Sequence, residues 1–79
     1  MTYTQDIIDE LNLLALYNLD TTQAGLKIHT STATPSTVAA AQRLYAKGLT
    51  TQADGGYLTN MGHEAAELGR TLFNLLNPA

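Results

Sequence analysis

Near the amino terminus, Ile7, Ile8, Leu11, Leu14 and Ala15 fall on one apolar stripe at helical spacing. Leu13, Leu16 and Tyr17 carry the apolar surface round to the other side. A helix that starts with a polar face and ends apolar all round is buried on two sides. Here those sides would be a domain core and a subunit partner. Thr4 is placed to cap this helix, Asp6 sits in its first turn, and Tyr3 can pack on Ile8 as a hydrophobic staple. Asn18 to Asp20 are expected to end it.

From Asp20 to His29 two patterns compete. Asp20 with Gln23 three residues on is a loose capping box, which favours a short helix from Thr21. Leu26 and Ile28 alternate with Lys27 and His29, which favours a strand. The preferred reading is a helical turn followed by a strand at Leu26 to His29. Small residues from Thr30 to Thr34 then form a loop.

The next helix has clear punctuation. Thr34 is its N-cap, Pro35 its first residue, and Gly48 the left-handed position after its last turn. Val38, Ala41, Leu44 and Tyr45 are expected to face the core, leaving Ala39, Gln42, Arg43, Ala46 and Lys47 on other faces. Arg43 and Lys47 are four apart and lie one above the other. Leu49 to Gln52 and Tyr57 to Leu58 read as short strands around Ala53-Asp54-Gly55-Gly56, because Asp-Gly is a strong hairpin signal. With Asp54-Gly55 as the turn, Gln52 faces Tyr57 and Thr51 faces Leu58. Leu49 and Leu58 then share the inner face, and Thr50, Gln52 and Tyr57 the outer one. Thr59 caps a final helix with a long stripe of Met61, Ala65, Leu68, Leu72 and Leu76, widened by Phe73 and Leu75. That is more apolar surface than a small core needs.

Composition sharpens this picture of one domain. The chain has 79 residues, 44% of them hydrophobic and 14% charged, as in a soluble globular domain. A domain of this size buries only about 60% of its unfolded surface, so its core is marginal alone. It has no cysteine, which excludes disulfides, cysteine zinc sites and a thiol nucleophile. Self-association is the first candidate for the missing support. Met1 to Glu10 lack the pattern of a secretory signal, and no apolar stretch nears the roughly 20 residues of a membrane span. A cytoplasmic location is expected.

Charge is unevenly spread. Between Thr21 and Ala53 there is no acid, while Lys27, Arg43 and Lys47 make that stretch +3 within a chain of net charge -3. Two explanations stand side by side: a basic face opposite an acidic one, or terminal helices that simply supply the acids.

The run Arg43-Leu44-Tyr45-Ala46-Lys47-Gly48-Leu49, followed by Asp54-Gly55-Gly56-Tyr57-Leu58-Thr59 and Gly62, resembles the wing region of MarR- and PadR-like winged-helix regulators. Gly48 ends the helix, the glycine pair turns the wing, Thr59 caps the following helix, and Gly62 lets that helix approach the sheet. More of the chain, including Leu11 to Asp20 and Gly25 to His29, is similar to a family of short proteobacterial proteins of unknown function, carried as candidate DNA-binding proteins. The resemblance implies an α+β, mostly helical, winged-helix-like domain over 1–79. Its order would be a helix, a short helical turn or strand, a helix, a two-stranded wing and a long C-terminal helix. Full regulators place two helices before the wing, the second reading the major groove. Here the first of that pair is short or replaced by strand.

The leading expectation is regulatory, non-enzymatic DNA binding. Lys27, Arg43 and Lys47 would contact phosphates, and Ser36, Thr37, Ala39 and Gln42 would face the groove. Thr50 and Gln52 would serve the wing, with Tyr57 available to stack. A duplex binder typically neutralises about six to ten phosphates, and this chain has four basic residues, so binding is expected to be weak. The alternative is a homodimeric interaction module without DNA, joined through Leu13, Leu16, Tyr17, Leu68, Leu72, Phe73, Leu75 and Leu76. An enzyme is a poor third. His63 and Glu67 stand four apart without a third ligand or HExxH pattern, and His29 is alone. The hydroxyl-rich run from Thr30 to Thr37 has no nearby base, and Gly55-Gly56 with Gly62 do not form a phosphate loop. No cofactor, metal or small-molecule ligand is expected.

Overall fold

Three threonines start the three helices. In a computed structural model describing residues 1–78, the Oγ1 atoms of Thr4, Thr34 and Thr59 accept from the amides of Ile7, Thr37 and Gly62 at 3.3, 3.3 and 3.0 Å. Each satisfies an amide that the helix start leaves unpaired. The elements are α1 (Gln5–Leu14), β1 (Leu26–Lys27), α2 (Pro35–Ala46), β2 (Thr50–Gln52), β3 (Gly55–Leu58) and α3 (Asn60–Leu76). The fold is α+β, about half helical, with one antiparallel sheet in the order β1-β3-β2.

α2 stops as its glycine implies. Gly48 takes φ 79°, its amide donates to Tyr45 O, and the Leu49 amide donates to Leu44 O. This paired closure is a Schellman turn, and it brings Leu49 back onto Leu44 in the core. α1 ends differently. It stops at Leu14, short of the expected Asn18, and leaves through tight bonds from Leu16 to Leu13 O and Tyr17 to Leu14 O. No glycine is available there to turn the chain through positive φ, so the last turn tightens instead. That turn carries Tyr17 inward beside β1 and β3. Leu13 and Tyr17, expected at a subunit interface, are therefore buried within the chain.

Residues 21–25 form no helix. Local bonds from Asp20 N to Asn18 Oδ1 and from Gln23 N to Thr21 Oγ1 take the place of a helical turn. Such side-chain bonds compete with helix for the same amides. The strand is also shorter than the expected Leu26 to His29, although the Ile28 amide still donates to Asp54 O at 2.8 Å.

The hairpin register differs from the expected one. Thr50 pairs with Leu58 and Gln52 with Gly55, so the turn is Ala53-Asp54. Gly55 and Gly56 follow at φ 118° and 72°, and Gly56-Tyr57 bulge opposite Thr51. The glycines thus serve a bulge, which has the same taste for positive φ as the turn itself. Thr50 lands on the inner face and is buried, with its hydroxyl given to Gln52 O.

The core joins Leu13 and Leu14 of α1, Ile28, Ala40, Ala41 and Leu44 of α2, and Ala66 of α3. Ile7 and Ile8 on α1, Ala15 just after it and Tyr45 on α2, all expected inside, are exposed, and α3 leaves Met61, Leu68 and Leu76 of its stripe exposed. On α2 and α3 small residues take the inner face, because they let helices approach closely. Tyr17 Oη is, among the described residues, the buried side-chain polar atom without a partner. An unpaired buried hydroxyl costs about 1–3 kcal/mol. Tyr17→Phe is therefore expected to raise the urea midpoint, and a fall would reveal a partner for the hydroxyl.

Candidate nucleic-acid interface

α2 follows a period near 3.6 residues, so its buried side at Ala40, Ala41 and Leu44 defines an opposite, outward row of Pro35, Ala39, Gln42 and Ala46. That row is uncharged, with Gln42 its hydrogen-bonding side chain. Ser36 and Thr37 lie in the first turn, where both hydroxyls contact Thr34 Oγ1, at 3.1 and 2.9 Å. They serve the helix cap. Gln52 and Tyr57 are exposed on the hairpin, whereas buried Thr50 is removed from any external contact.

The three cations do not form one free basic face. Arg43 Nε donates to Glu10 Oε2 at 3.0 Å, and Arg43 Nη2 reaches the Asp6 carbonyl at 3.3 Å. Lys47 Nζ bonds the other oxygen of the same Glu10 carboxylate. Both lie at the edge of α2 that meets α1. Lys27 sits on β1 and pairs with Asp54, in the hairpin turn, at 2.6 Å. Arg70 has no ion-pair partner among the described residues, but it is on α3, away from this surface.

Glu10 is the group that the sequence reading missed. Its side chain is buried between α1 and α2. Burial pushes its carboxyl pKa up, but the hydrogen bonds and charges of Lys47 and Arg43 outweigh this and hold it below the usual carboxylate range. The available signal was its spacing: Glu10 precedes Leu13 and Leu14 by three and four residues, on the same helix face. Asp54 is also lowered, chiefly by its hydrogen bond from Lys27. Burial raises the Tyr17 hydroxyl, as does the nearby Asp54 charge.

His63 is a tether. Its Nε2 lies 3.2 Å from Leu19 O and its Nδ1 2.8 Å from Glu67, which pins the segment after α1 onto α3. Among the described residues no group of three His, Cys, Asp or Glu could hold a metal, and no helix is long and apolar enough to cross a membrane.

Residues 1–77 match a family of unknown function, DUF5669. The chain belongs to this family. No curated protein and no solved structure matches it.

Proposed function

We propose that this protein is a non-enzymatic, winged-helix-type DNA-binding protein that meets the duplex through α2 and the β2–β3 hairpin. The supporting observation is the connection between them. α2 ends in the Schellman turn at Gly48, and the hairpin follows directly in a sheet ordered β1-β3-β2. A short, hydrogen-bonded link holds helix and hairpin as one rigid surface. The resemblance of Arg43 to Gly62 to the wing region of MarR- and PadR-like regulators favours the same reading.

The chemistry restricts the mode of binding. The outward row of α2 offers Gln42 and small apolar side chains, which can approach a groove but discriminate bases poorly. Arg43, Lys47 and Lys27 border the surface and would contact phosphates after exchanging their carboxylate partners. Such contact is salt-sensitive and tolerant of sequence, because phosphates carry no base identity.

The test is fluorescence anisotropy with a labelled duplex over a salt series. Retention is expected near 50 mM salt, with a log–log slope of about −3 per copy from three phosphate contacts. Arg43→Ala with Lys47→Ala should flatten that slope by about 2. No retention at the lowest salt would reject the duplex reading. A second reading then remains, a homodimeric interaction module without DNA, favoured by exposed apolar residues along α3.

A further inference from the structure

α3 has two apolar faces. Gly62 and Ala66 are seated in the fold, while Met61, Ala65, Leu68, Leu72 and Leu75 make a second row spaced 4-3-4-3. Met61, Leu68 and Leu75 are 53%, 64% and 74% exposed, and Ala65 and Leu72 are half-buried. An average spacing of 3.5 keeps such a row facing a neighbouring helix over its full length. Beside it, α1 and α3 enclose an apolar groove of about 680 Å³, bordered by Ile8, Leu11, Phe73 and Leu76.

We propose that this row is the pairing face of a homodimer, with α3 of one protomer packed along α3 of a second copy. A twofold contact requires a patch that complements itself. The row carries no charge, so it meets its own copy without repulsion. Flanking charges select a different partner helix in coiled pairs, and the flanks here at Gly62, Gly69, Thr71 and Leu76 are uncharged, leaving Glu64 as the single charged flank. The area also fits. Met61, Leu68, Leu75 and Leu76, at roughly 120 Å² each, supply more than half of the ~800 Å² per partner of a standard interface. The chain benefits from such cover, since Leu44 is its one large side chain that is fully buried among the described residues.

The proposal concerns the oligomer and stands apart from the duplex reading, so its test contains no DNA. Light scattering on the full chain should give twice the 8.5 kDa chain mass at about 50 μM. Its melting temperature should rise with protein concentration, as for any coupled folding and association. Leu68→Glu and Leu75→Glu should each lower the mass to that of one chain, with helical circular dichroism retained. A wild-type mass of one chain with concentration-independent melting would overturn the proposal. So would charged variants that remain dimeric. Should a variant unfold, the wild-type concentration series decides. A dimer that retains no duplex removes the DNA reading alone, and a monomer that retains duplex removes the dimer alone.

Discussion

Gly62→Ala is expected to destabilise the domain by about 2–3 kcal/mol, although alanine is the better helix former. Gly62 lies in the first turn of α3, where exchanging glycine for alanine ordinarily gains up to about 1 kcal/mol. Here a Cβ would run into the Leu49 backbone, at 2.8 Å from its carbonyl carbon and 3.2 Å from its Cα. Neither atom can move aside as a side-chain tip could. Leu49 O already accepts the Thr59 amide at 3.1 Å, and Thr59 Oγ1 donates to Gly48 O at 2.7 Å. Admitting the methyl group means withdrawing α3 and breaking those bonds. The loss is large against a total stability on the order of 4–12 kcal/mol for a domain of this length. Gly69→Ala is the control: its Cβ would meet the flexible Leu11 Cδ2 at 3.3 Å. Urea unfolding should show Gly62→Ala with a lowered midpoint and Gly69→Ala near wild type. Equal behaviour would contradict the close approach of α3 to Leu49.

Glu10→Gln is expected to weaken the fold and strengthen duplex retention. The carboxylate holds Arg43 and Lys47 against α1, and hydrogen bonds to a charged group contribute about 1.5–3 kcal/mol. Its loss should cost the fold on the order of 1–3 kcal/mol, since both cations keep partial access to water. The same loss frees both side chains for phosphate and removes one negative charge. Duplex affinity near 50 mM salt should then rise by about tenfold. A fall in both quantities would mean that Glu10 positions α2 for binding and does not restrain its cations. Acid gives the parallel result. The folded-state pKa of Glu10 is depressed, so its contribution is complete above the unfolded value of about 4.3. It is lost as pH falls through the folded value.

What could be read directly from the chain was local. A cap needs only a threonine and an amide three residues on, so Thr4, Thr34 and Thr59 announce their helices. Gly48 announces the end of α2 in the same way. Gly62 was legible as a point of close approach because its place after the hairpin leaves little else for it to do. The buried face of each helix was less legible. The stripe of the first helix points to the core at Ile7 and Ile8, yet both are exposed, and α3 seats through Gly62 and Ala66 while Met61, Leu68 and Leu75 stay outside. Closeness between helices favours small residues, which an apolar count undervalues. Glu10 lay beyond local reading because its partners are 33 and 37 residues away. The hairpin register failed for a different reason: Gly55 and Gly56 satisfy a turn and a bulge equally well, and only the pairing chooses between them.

The two-residue β1 also affects the order in which the sheet can assemble. β2 meets β3 across a two-residue turn, so their pairing closes almost no loop. β1 meets the same β3 only after the whole of α2 has been traversed, with Leu26 opposite Gly56. Chain entropy must be surrendered before two residues of pairing return anything. The hairpin and the end of α2 are therefore expected to form first, with β1 closing on a strand already in place. The Lys27–Asp54 pair joins that late strand to the hairpin turn, so removing it is expected to speed unfolding more than it slows folding.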